Sequence, residues 1–187
     1  MANNVFSNIM VNVNDETEKY LLQKLAKVKE SLWSYFIEEK DWTPELQSEM
    51  IGPKWAIIDQ IDVNSLSITS AWGPPMEFCQ NLYSELKEID PLVEIVMTYE
   101  DEFPNYIGAY IINEDGEFNR DLEYDEIVEL VKVEFDEINE NENWDEEDNF
   151  SEKGLDLFHD VMWDIIANWQ YEYIAKHEMV YPHLKTA

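Results

Sequence analysis

Residues 54–78 read KWAIIDQIDVNSLSITSAWGPPMEF. Two strand-like runs, 55–61 with three isoleucines and 65–71 with three serines and a threonine, flank Asp62-Val63-Asn64, an interval suited to a tight connection between antiparallel strands. Gly73-Pro74-Pro75 ends the second strand, since neither proline can donate to a sheet ladder. Proline is well tolerated at the first helical position, so Pro75 opens a helix. Its buried face is predicted to be Phe78, Leu82, Leu86 and Ile89, and Pro91 closes it.

Outward from this stretch the same reading extends in both directions. Residues 5–13 alternate as a strand, with Val5, Ser7, Ile9, Val11 and Val13 on one face. Asn14 or Asp15 then caps a helix whose apolar positions Leu21, Leu25, Val28, Leu32 and Phe36 recur at three- and four-residue spacing, which predicts one helix through Phe36. Residues 41–54 read as mostly loop, with a short helix after Thr43. Beyond Pro91, 93–99 and 107–112 are strand-like, and Glu114-Asp115-Gly116 is a turn signal. The order strand, helix, strand, strand, helix, strand, strand predicts an α+β fold: a ferredoxin-like split βαβ sandwich with an antiparallel sheet and its helices on one face. An acidic segment and a long C-terminal helix follow. We expect a ferredoxin-like domain over 1–120 and an acidic helical extension over 121–187, packed on it as one structural unit.

Residues 121–148, DLEYDEIVELVKVEFDEINENENWDEED, hold fourteen carboxylates and the single cation Lys132. Tyr124, Val128, Val131 and Phe135 fit one helix face, although 130–134 could equally alternate as a strand; helix is the preferred reading. Residues 139–149 read as an exposed loop containing Trp144. The final helix is predicted over 151–177, with Leu155, Phe158, Met162, Ile165, Ile166, Trp169 and Tyr173 as its apolar stripe. Asp156, Asp160 and Asp164 form a second stripe, about 6 Å per step, of the order of the spacing between phosphates in a nucleic-acid strand.

Across 187 residues, 42 Asp and Glu against 12 Lys and Arg give a formal net charge of −30. Direct nucleic-acid binding is disfavoured, because it requires cations to displace condensed counterions. A basic protein partner is favoured instead. With 7 Trp, 10 Tyr and 8 Phe, the chain is too aromatic for a natively disordered acidic protein and is expected to fold. Cys79, alone, can neither form an internal disulfide nor hold a cluster or structural zinc, and reads as a buried small hydrophobe. The first residues lack a basic region followed by an apolar run, and no stretch approaches the length needed to span a bilayer, so a cytoplasmic protein is expected.

Catalytic patterns are weak. The Asp145–Asp148 run lacks the alternating ligands and central glycine of a calcium loop. His159, His177 and His183 form no zinc pattern, no nucleophile elbow surrounds the serines, and five glycines leave little room for a phosphate-cradling loop. No cofactor and no enzymatic activity are expected.

Lys54-Trp55, then Ser70-Ala71-Trp72-Gly73-Pro74-Pro75 leading into a helix, later Thr98-Tyr99-Glu100 and Gly108, together resemble the Api-like ferredoxin-like-fold family of phages and plasmids over about residues 4–118. Asn8 matches an asparagine of that family's opening motif, while the Trp-Cys pair usually before it is absent. The resemblance implies a mobile-element accessory protein without enzymatic chemistry. Joined to the charge, it suggests an inhibitor that mimics nucleic acid and blocks the DNA- or RNA-binding surface of a host defence protein, a CRISPR effector or restriction enzyme. The carboxylates expected to meet that partner are Asp121, Glu123, Asp125, Glu126, Glu129, Glu134, Asp136, Glu137, Glu140, Glu142, Asp145, Glu146, Glu147, Asp148, Asp156, Asp160 and Asp164. Trp144, with Tyr124 and Phe150, is expected as an aromatic anchor beside them. The alternatives are a dimeric interaction module that uses its charge for solubility, and an uncharacterised enzyme.

Overall fold

A computed structural model describes residues 3–102, 106–140, 143–144 and 150–177. Among these, six strands form one antiparallel sheet: β1 (Asn4–Asn12), β2 (Ala56–Ile61), β3 (Ser65–Ala71), β4 (Glu94–Asp101), β5 (Tyr106–Asn113) and β6 (Gly116–Glu123), in the spatial order β2-β3-β1-β4-β5-β6. Five α-helices accompany it: α1 (Asp15–Leu25), α2 (Pro44–Met50), α3 (Met76–Lys87), α4 (Tyr124–Glu134) and α5 (Glu152–His177).

Local chemistry explains most boundaries. In β1 the alternation holds, burying Val5, Ser7, Ile9 and Val11 while Phe6, Asn8 and Met10 face outward. Asn14 caps α1, its side chain accepting from the amides of Glu16 and Thr17 at 3.1 and 3.0 Å. Thr43 caps α2 in the same way through Leu46, with Pro44 at the first helical position. The helix predicted through Phe36 ends instead at Leu25. The chain leaves it so that the Glu30 carbonyl can accept from Ile58 and Ser31 can bridge to Ile57 on the edge of β2, while Leu32 and Tyr35 enter the core from a 3-10 turn. Edge pairing and burial override the helical period. Ile89 lies just beyond α3 and is 40% exposed, whereas Cys79 and Tyr83 join Phe78, Leu82 and Leu86 on its buried face. Burial pushes the Cys79 thiol well above its ordinary pKa, and its sulfur rests 3.9 Å from that of Met97.

The helices occupy both faces of the sheet, not one. Side chains alternate across a strand, and the two faces of β5 serve different cores. Tyr106, Tyr110 and Ile112 pack in the larger core with α1, α3 and the inner residues of β1, β3 and β4. Ile107 packs in a second core with Leu122, α4 and α5, around Ile127, Val131, Ile138, Phe158, Met162 and Ile166. β5 is therefore buried on both sides. The α4–α5 layer leaves β1, β2 and β3 uncovered on that face, where Phe6, Met10 and Ile57 are 43%, 45% and 43% exposed. No helix among the described residues is long and apolar enough to cross a membrane.

β6 lies where sequence reading placed the start of the acidic extension, and it runs through the boundary expected between 120 and 121. Its neighbour β5 carries a close approach at Gly108, directly opposite Tyr99 on β4. A Cβ at 108 would overlap the Tyr99 ring, so the glycine is what lets that ring lie across the strand. Gly108→Ala is expected to destabilise the fold by about 1–3 kcal/mol through overpacking, read as a lower denaturant midpoint. An unchanged midpoint would show that Tyr99 can swing aside at little cost.

Candidate functional site

The described acidic residues among those singled out above divide among four settings: α4, α5, the 3-10 turn between them, and β6. Asp125, Glu126, Glu129 and Glu134 lie on α4, and Asp156, Asp160 and Asp164 on α5; Asp136 and Glu137 lie in the 3-10 turn Asp136–Asn139, with Glu140 after it. All are exposed. Glu142 and Asp145, Glu146, Glu147 and Asp148 lie outside the described residues.

Why α4 and α5 hold these acids outward follows from their cores. On α4 the buried face is centred on Ile127 and Val131; Tyr124, expected on that face, is 40% exposed. Glu123 and Glu126 form a capping box, the Glu126 carboxylate accepting from the Glu123 amide at 3.2 Å. That hydrogen bond, then the one from Arg120, holds the Glu126 carboxyl below its ordinary pKa. On α5 the residues Phe158, Met162 and Ile166 are buried, and Asp156, Asp160 and Asp164 recur about 200° around the helix from them, on its outward face. Gly154 seats the start of α5 against the Asn143 backbone, whose carbonyl a Cβ there would overlap. Leu155, expected in the apolar stripe, is 39% exposed.

Not every carboxylate is free to meet a partner. Glu126 pairs with Arg120 and Glu129 with Lys132. Asp125, Glu134, Asp136, Glu137, Glu140, Asp156, Asp160 and Asp164 have no ion-pair or hydrogen-bond partner for their carboxylates among the described residues.

Asp121 and Glu123 stand apart from this surface. On β6 they lie opposite Gly108 and Tyr106, on the face of the sheet that carries Tyr99. Arg120 and Leu122 take the other face, toward α4 and α5. The Asp121 carboxylate accepts a hydrogen bond from the Tyr99 hydroxyl, whose oxygen also lies 3.0 Å from the Asn119 side-chain amide. Sequence reading merged the two groups because it did not see β6.

Trp144 is a staple of the chain, not a free anchor. It is half-buried, donates through Nε1 to the Ile138 carbonyl at 2.7 Å and stacks on Phe150 at 4.5 Å, with the Lys132 ammonium 4.6 Å from its ring. Phe150 packs in turn on Phe158. The aromatic residue that does stand beside the acid stripe is Trp163, 42% exposed, next to Asp164 and one turn from Asp160. Its position just off the apolar stripe at Met162 was the available signal. Comparison with protein-family models, with curated proteins and with solved structures finds no match to the chain.

Proposed function

We propose that the protein is a non-enzymatic inhibitor of the phage or plasmid type, acting in the host cytoplasm, that presents carboxylates in place of phosphates to the DNA- or RNA-binding surface of a basic host defence protein such as a CRISPR effector or restriction enzyme. The observation that carries this reading is the stripe Asp156, Asp160 and Asp164, held outward at one-turn spacing by a helix locked from behind by Phe158, Met162 and Ile166. Anions fixed in advance spare the complex the entropy of ordering them, and a net charge of −30 steers a cationic surface toward them. Trp163 beside the stripe supplies an aromatic contact of the kind that anchors polar interfaces.

The central strand order β4-β1-β3-β2, antiparallel throughout and linked through α1 and α3, supports the ferredoxin-like split βαβ reading, with β5 and β6 as additions. That reading in turn supports the Api-like resemblance carried by Lys54-Trp55 and 70–75.

The test is capture of partners from a bacterial lysate on the purified protein, eluted by a salt gradient. Recovery of a nucleic-acid enzyme that added DNA or RNA displaces, and that leaves the column as salt rises, is the expected result. A captured partner indifferent to both would exclude mimicry. A second reading, a dimeric module, draws on the uncovered sheet face with Phe6, Met10 and Ile57 exposed; mass in solution at low and high salt separates it from the first.

A further inference from the structure

At the opposite side of the sheet from α4 and α5, the turn after β3 faces the end of β6 across a cleft of about 540 Å³ lined by Trp72, Gly73, Pro74, Met76, Tyr99, Tyr106, Asp121 and Glu123. Three features of its walls converge. Trp72 has φ +71, in the left-handed region that bulky side chains avoid. Its amide donates to the Asn3 carbonyl at 2.9 Å and its carbonyl accepts from the Tyr106 hydroxyl at 3.4 Å, so the turn is fixed from both sides. Yet its indole is 63% exposed and contributes little to any core. Glycine would suit this backbone better, so the tryptophan is not there for the turn.

Tyr99 and Tyr106 form the facing wall, ring centroids 6.3 Å apart and edge to face. Burial, then Asp121, pushes the Tyr99 phenol well above its ordinary pKa; burial, then Asp101 and Asp121, takes Tyr106 up to about 12. Both hydroxyls stay protonated at neutral pH. Tyr99 therefore donates to Asp121 and orients it, occupying only part of the carboxylate's accepting capacity. Glu123 adds a second carboxylate to the same wall, and among the described residues no lysine, arginine or histidine lines the cleft.

An exposed indole face beside two carboxylates and neutral phenols matches one chemistry best. A guanidinium is planar, stacks on tryptophan, and donates in a fork that suits carboxylates. An ammonium lacks the plane, and an anion would meet Asp121 and Glu123. We propose that this cleft binds the guanidinium of an arginine side chain presented by a partner polypeptide. The site is separate from the carboxylate stripe on α5 and stands whether or not that stripe mimics nucleic acid.

The experiment titrates the full chain, by calorimetry, with N-acetyl-arginine-methylamide and with the matching citrulline and lysine compounds and free arginine. The capped arginine should bind, the citrulline compound, neutral and equal in shape, should not, and lysine should bind more weakly. Trp72→Gly keeps the turn in a conformation glycine prefers, so its thermal midpoint should not fall, while its affinity for the capped arginine falls about 3- to 30-fold. Asp121→Asn, which preserves an acceptor for Tyr99, should weaken binding as well. Equal binding of the citrulline compound, or undiminished affinity in Trp72→Gly, overturns the site. Equal binding of lysine overturns the guanidinium assignment, and tighter binding of free arginine overturns the polypeptide partner.

Discussion

Phe158→Ala is expected to cost about 3–5 kcal/mol, the largest loss for any single side chain in the α4–α5 layer. Phe158 is fully buried, meets Tyr124 edge-on at 6.1 Å and packs on Phe150 at 4.9 Å. The core around it is small, and two of its neighbours, Ile127 and Val131, are β-branched and restricted in how they can refill a cavity. The variant should therefore show a much lower denaturant midpoint and faster amide exchange in α4 and α5 than in β1 and β4. Partner binding should weaken with it, because the acids of α5 would no longer be held in advance. Wild-type stability in this variant would mean that the layer is not held together by its apolar face.

The triple variant Asp156→Lys, Asp160→Lys, Asp164→Lys should behave in the opposite way, keeping its fold and losing its partner. All three residues are exposed, so no packing is disturbed. Affinity for a basic partner should fall by about two orders of magnitude or more, and the log–log salt slope should shrink by about one unit for each ion pair removed. The informative control is Asp41→Lys, Glu45→Lys, Glu49→Lys, which changes net charge equally at exposed sites in and just before α2, away from α4 and α5. If both triples weaken binding alike, the partner senses bulk charge and the placement on α5 is immaterial.

Much of the fold can be read from residue patterns because local and tertiary demands agree there. The alternation of Val5, Ser7, Ile9 and Val11, the pair of runs around Asp62-Val63-Asn64, and Pro75 before Phe78 each satisfy turn chemistry and burial together. Where they conflict, the pattern misleads. Val28, Leu32 and Phe36 continue a helical period, but the backbone there is claimed by the edge of β2. β6 is nearly invisible because a strand at the end of the sheet, partly solvated, buries only Leu122 outright. The acids were legible as a charge and not as faces. Separating Asp121 and Glu123 from Asp125 and Glu126 requires knowing that a strand ends and a helix begins between them. Trp72 reads as part of a turn, and nothing in its neighbours announces a left-handed backbone at a residue other than Gly73.

The double burial of β5 means that the acidic layer cannot be treated as a detachable tail. A chain cut after β6 would turn Ile107, Ile111 and Leu122, all buried in the intact protein, toward water as one apolar strip beside an open strand edge. Such a fragment would tend to aggregate. Deletion mapping would then report lost solubility where it was meant to locate a binding surface, and substitutions on intact helices are the means by which the acids can be assigned a role.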